Sequence, residues 1–203
     1  MRCTILLTSF LLIIVCIMSS CTSNDEMDML IYERFDFAGK SLGDKDTLYL
    51  QKLNDHTLNA TFLKEGKEIS FSLIMGNTFV KVISKDSSTI LYDVNSKEIH
   101  NNILDENYSS PFFAKNTKYS SSQSYKLSNR VFYVHFFRTE LNTSYNNLMY
   151  YSPKYGFICF LDEGTGYKRL SYSSNLSKSD KNLLNNLIDT VIKDSSAFNT
   201  YFE

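Results

Sequence analysis

Side chains able to do acid–base, nucleophilic or metal chemistry are few in this sequence, and their spacing keeps them apart. The three histidines, His56, His100 and His135, each stand alone. A zinc site needs Cys or His ligands in close pairs, because they must converge on one ion at roughly 2.0–2.3 Å; no such pair occurs. His135 has apolar neighbours and is expected to be a core histidine with its hydrogen bonds satisfied, whereas His56 and His100 are expected in solvent. The acidic pairs Asp105-Glu106 and Asp162-Glu163 would serve as general acid and base only if the fold set carboxylates across a cleft, which spacing does not show. Gly164-Thr165-Gly166 reads as a turn, since the Gly-x-Ser-x-Gly, P-loop and dinucleotide signatures are absent. No catalytic residue, metal or cofactor is expected.

Of the 4 cysteines, Cys3, Cys16 and Cys21 lie at the N-terminus and Cys159 stands alone in the rest of the chain. Cys159 sits in the apolar run Tyr155-Gly156-Phe157-Ile158-Cys159-Phe160-Leu161 and is expected to be a small core residue rather than a nucleophile. Residues 1–20 differ from all that follows: Arg2 is their only charged residue, and Ile5 to Ile17 is almost continuously apolar. That run holds about a dozen residues, short of the roughly 20 needed to span a bilayer, so an export signal is expected rather than a membrane-spanning helix.

Met18-Ser19-Ser20-Cys21 resembles the bacterial lipobox, in which small residues precede a cysteine that is acylated and becomes the first mature residue. The resemblance implies a Gram-negative lipoprotein carrying lipid on Cys21. Thr22 in second place, where Asp would signal retention, implies passage to the outer membrane. The polar stretch 21–29 reads as a tether. Its acidic residues Asp25, Glu26 and Asp28 are similar to export signals that send some lipoproteins to the cell surface, and read equally as a solvated linker. Asp46-Thr47-Leu48 resembles an Asp-Thr-apolar O-glycosylation motif, which would place a glycan on Thr47, beside a turn. The match at Asp189-Thr190-Val191 falls on an expected helix.

The elements that must hold these residues are mostly strands. Ile69, Phe71, Leu73 and Met75 alternate with Ser70 and Ser72, the period of a strand with one buried face. Similar stretches at 31–37, 47–50, 57–63, 78–83 and 89–92 are separated by turn-forming residues, and Gly76-Asn77 is expected to be a two-residue hairpin turn with positive φ at Gly76. Residues 116–124 read as a polar loop. Strand patterning resumes at 131–137, apolar on both faces apart from His135, as in a doubly covered strand. In Tyr151-Ser152-Pro153-Lys154-Tyr155-Gly156, Pro153 presets φ for the second turn position and Gly156 accepts positive φ where the next strand begins. This stretch also resembles the Tyr/Trp-Ser-Pro-x-x-Gly hairpin of exported β-sheet lipoproteins, whose meaning is architectural.

Near the C-terminus the period changes. Leu183, Leu184, Leu187, Ile188, Val191 and Ile192 form a stripe at helical spacing, with Asn182, Asn185, Asn186 and Asp189 on the other side. Ser177 and Asp180 approximate a capping box. One amphipathic helix is expected over 178–194. The expected fold is mainly β (α+β): an antiparallel meander, a curved sheet or partial barrel, closed by that helix. Residues 30–203 read as a single domain.

Composition narrows the function. The 21 basic and 22 acidic side chains give a net charge of −1 with no basic stripe, which argues against nucleic-acid partners. The 15 Phe and 14 Tyr, with no Trp, suit strands. The expected role is a non-enzymatic binding or structural module of the cell envelope, its ligand and any protein or glycan partner left unspecified by the sequence and its membrane contact the lipid on Cys21. An alternative is a carrier of lipid or another apolar molecule in a β cavity. An envelope hydrolase is the weaker third reading.

Overall fold

The computed structural model describes residues 27–196 apart from 54–56, 65–66, 77, 85–88, 103–114, 143–144, 163–165 and 195. Twelve antiparallel strands among the described residues form one sheet. They are β1 (Met27–Phe35), β2 (Ser41–Lys52), β3 (Thr57–Lys64), β4 (Lys67–Met75), β5 (Phe79–Ser84) and β6 (Thr89–Asp93), followed by β7 (Glu98–Asn102), β8 (Thr117–Leu127), β9 (Arg130–Asn142), β10 (Tyr145–Ser152), β11 (Gly156–Asp162) and β12 (Gly166–Ser173). A helix, α1 (Lys178–Lys193), follows. The strand order is β7-β6-β5-β4-β3-β2-β1-β12-β11-β10-β9-β8, so the first strand pairs with the last and the two edges are β7 and β8.

A twisted sheet of this many strands curls on itself. Here its edges meet: the Asn101 side chain on β7 donates to the Lys115 carbonyl ahead of β8 at 3.2 Å. Tyr92 of β6 stacks on Tyr119 of β8 with ring centroids 6.2 Å apart. The expected curved sheet is therefore a nearly closed barrel.

The inward residues of β2 to β6 alternate with half-exposed ones, as one-sided strands must. On β9 to β11 both faces are buried, because α1 covers the outside. Register shows how: Arg169, Cys159, Tyr150 and Phe136 form one row across β12 to β9, and Arg169 reaches Asp189 of α1 at 2.6 Å. Just past the C-terminal end of the helix, Tyr125 of β8 donates to Asp194 at 3.0 Å. Leu184, Leu187, Ile188 and Val191 turn inward, and burying each contributes about 1.5–3 kcal/mol. Phe136 and Phe137, on opposite faces of β9, are both buried, as the doubly apolar pattern implied.

Sequence and structure part at several places. The 116–124 stretch is not a loop: Thr117 begins β8, whose Ser-rich middle stays wet while its backbone pairs with β9. The β8–β9 turn is Ser128-Asn129, both at positive φ, a two-residue turn with few warning residues. Gly76 does not adopt positive φ. The link there is longer, with the Gly76 amide on the Phe79 carbonyl at 2.9 Å, and a Cβ at Gly76 would meet the Phe79 ring. The sheet takes up Met27, Asp28 and Met29, shortening the 21–29 tether. Asn185 and Asp189 do not simply face water, because both reach Arg169.

Other expectations hold. The Pro153 turn closes with the Tyr155 amide on the Ser152 carbonyl at 3.1 Å, and Gly156 follows at φ +75°. Helix α1 starts where expected, with the Ser177 hydroxyl accepting from the Asp180 amide. Asp180 is too short to complete a capping box; its carboxylate accepts from the Ser177 hydroxyl instead, at 2.8 Å.

Candidate functional site

The inward face of β9 carries His135 toward one end of the barrel. Its neighbours arrive from three other strands: Tyr151 stands directly opposite on β10 with centroids 6.3 Å apart, Tyr92 comes from β6 at 5.7 Å, and Tyr119 from β8 at 6.4 Å. Phe137, two residues along the same face, meets Tyr92 edge-on at 4.5 Å. The β6–β7 turn holds Lys97 at φ 60°, with its amide on the Asp93 carbonyl and its ammonium 5.9 Å from the Tyr119 ring centroid.

His135 is buried, as expected, but it is not satisfied: neither ring nitrogen has a hydrogen-bond partner in the protein, and nor does the Tyr92 hydroxyl. A sequence cannot show this, because the missing partners are a property of three distant strands. Burial, and then the Lys97 charge, hold the imidazole below its ordinary pKa, so it is neutral at pH 7. A neutral imidazole offers one donor and one acceptor. Burial pushes the Tyr151 hydroxyl up to about 12 and raises Tyr92 further, so both remain hydrogen-bond donors and not bases. The arrangement can hold a small polar group.

The opposite end of the barrel is closed by a Lys168–Asp46 ion pair on the inward faces of β12 and β2. Toward the same rim, on β8 and β9, the Thr117 and Thr139 hydroxyls share a buried hydrogen bond of 2.7 Å.

The residues singled out by sequence fall as follows. Cys21, His56, Gly164 and the Asp105-Glu106 pair lie outside the described residues. Thr47 is not beside a turn: it sits within β2, half-buried and paired with Ile31 and Leu63. Thr190 is on α1, its hydroxyl donating to the Asn186 carbonyl. His100 is exposed, 3.5 Å from Glu98. Cys159 is fully buried, and burial raises its thiol to about 12, so it is a core residue and not a nucleophile. Among the described residues no three His, Cys, Asp or Glu side chains gather as metal ligands. Sequence reasoning missed Tyr92, Tyr119, Tyr151 and Lys97, for which the only signal was the abundance of tyrosine on strands.

No protein-family model matches the chain, and no curated protein sequence matches it.

Proposed function

We propose that the chain is an outer-membrane lipoprotein, anchored through Cys21, whose barrel serves as a non-enzymatic binding or structural module. The observation that carries this reading is the filled interior. Ala60, Val80, Val82, Ile90, Tyr92 and Phe137, drawn from four strands, have no exposed surface at all. A carrier would need a lumen there, typically about 300–1,000 Å³ for a small-molecule ligand. The outward face supports this reading: polar Gln51, Asn59, Thr61, Ser70, Ser72 and Lys81 interleave with apolar Ile74, Ile83 and Leu91, whereas a membrane-spanning barrel turns an apolar band outward.

The carrier remains the second reading because of His135 and Tyr92, whose unpartnered polar atoms would gain bonds from the head group of an inserted amphiphile. Organic extraction of the lipoprotein purified from its own membranes separates the two. The module reading expects no ligand in stoichiometric amount once lipid bound covalently to the protein is set aside. A stoichiometric apolar compound, lost in Tyr92→Phe combined with His135→Phe, would replace it with the carrier.

A further inference from the structure

Strand directions sort every turn of this meander to one of two rims. The first rim carries the start of β1 at Met27, the end of β2, the β6–β7, β8–β9 and β10–β11 turns, and the end of β12 with the start of α1. Among the described residues eight large apolar side chains are exposed, and five of them, Met27, Leu53, Val131, Tyr133 and Tyr172, belong to this rim. Met27, Leu53, Val131 and Tyr133 each leave more than half of their surface open. They lie at the ends of β2, β1, β12 and β9, with β11 and β10 between the last two contributing none.

Val131 and Tyr133 show why packing does not account for this exposure. They share the inward face of β9 with His135, but lie past the end of β10, whose last paired residues are Tyr151 and Ser152. The β8–β9 hairpin thus overhangs the barrel, and its inward face meets no strand opposite. Its other face is occupied, with Phe132 stacked on Tyr155 at 5.9 Å and Tyr125 bonded to Asp194. The hairpin is held rigid while two large apolar side chains point past the rim.

We propose that this rim docks on the bilayer that holds the chain's own lipid, with the Met27, Leu53, Val131, Tyr133 and Tyr172 side chains entering the head-group boundary. The proposal rests on acylation of Cys21. Only five residues separate Cys21 from Met27, and six Cα–Cα steps reach at most about 22 Å. The rim carrying Met27 is therefore the one kept nearest the membrane, within that reach, and its exposed apolar side chains are what it presents there. Apolar side chains on a surface-bound element sink roughly 5–10 Å into that boundary. Lys126 and Arg130 flank Val131, and Lys181 lies 4.7 Å over the Tyr172 ring, suiting snorkelling cations. Asp28, Asp93 and Glu98 lie on the same rim, so apolar insertion, more than charge, drives the contact. The remaining exposed apolar residues, Phe37, Leu42 and Ile69, sit at the opposite rim, which docking would turn outward toward partners.

The chain has no Trp, so a single introduced indole reports its own position. The full lipoprotein carrying Tyr133→Trp, Val131→Trp or Leu42→Trp would be reconstituted in phosphatidylethanolamine–phosphatidylglycerol vesicles with brominated acyl chains. Docking expects most of the indole emission to be lost at positions 133 and 131 and retained at 42. Emission retained at 131 and 133 in acylated, vesicle-bound protein would overturn the docked rim while leaving the anchor intact. Equal quenching at all three positions would overturn the orientation. A chain whose intact mass shows no acyl group, and which does not float with vesicles, would overturn the anchor and the docking with it.

Discussion

His135 is the residue whose environment has the most measurable consequence. Its folded-state pKa lies below the ordinary value of about 6.5 because burial, and secondarily Lys97, disfavour the imidazolium. The unfolded chain therefore binds a proton at pH values where the folded chain does not. Stability is complete above about pH 6.5 and is lost as pH falls from there toward the folded-state value, at no more than roughly 1.4 kcal/mol per pH unit for one proton. Tyr92, Tyr119, Tyr151 and Lys97 face the ring, and none supplies a negative charge to offset the change. His135→Phe is expected to flatten that part of the acid destabilisation. Thermal melts of both proteins from about pH 7.5 to 5 check this, and parallel curves would refute it. The sequence reading placed His135 in the core from its apolar neighbours, which is a local fact. That its nitrogens lack partners depends on residues from β6, β8 and β10, so no local pattern carries it.

At the scale of elements, α1 tests whether a sequence pattern has been read for the right physical reason. Its stripe buries Leu184, Leu187, Ile188 and Val191 against the outer face of β8–β12. Ile188→Asp would bury a charge with no partner at a cost of several kcal/mol, against a typical total stability of about 5–15. The mature chain is expected to unfold or to melt far lower. Asn182→Asp, on the exposed side and clear of Arg169, should change stability by no more than about 0.5 kcal/mol. Equal small shifts in both variants would show that the helix does not seal the sheet. The helix and the Pro153 hairpin were legible because their determinants are local: a 3.6-residue stripe in one, Pro153 and Gly156 in the other. Strand β8 was not, because Ser120 to Ser124 carries no apolar alternation and its place in the sheet comes from backbone pairing with β9. Gly76 was misread for a related reason. Its absent side chain makes room for the Phe79 ring, which a turn-type rule does not consider.

For the whole molecule, the antiparallel meander and its curvature into a partial barrel were foreseeable from alternating strands separated by turn-forming residues, but which strands meet was not. Closure depends on β1 meeting β12 and on β7 approaching β8, two encounters between segments far apart in the chain. The filled interior likewise depends on how side chains from facing strands interdigitate. At this scale the central claim is the anchor, because both the proposed envelope role and the docked rim depend on it. Multiple acyl chains, adding about 0.8 kcal/mol per buried methylene, would hold the chain to the membrane where one chain alone binds only marginally. The direct measurement is the intact mass of the protein taken from its own membranes, beside that of Cys21→Ser. The account expects wild-type protein beginning at Cys21 with an acyl-bearing mass, and Cys21→Ser as an uncleaved, unacylated precursor. Wild-type protein without acyl groups, or Cys21→Ser yielding the same mature species, would contradict it.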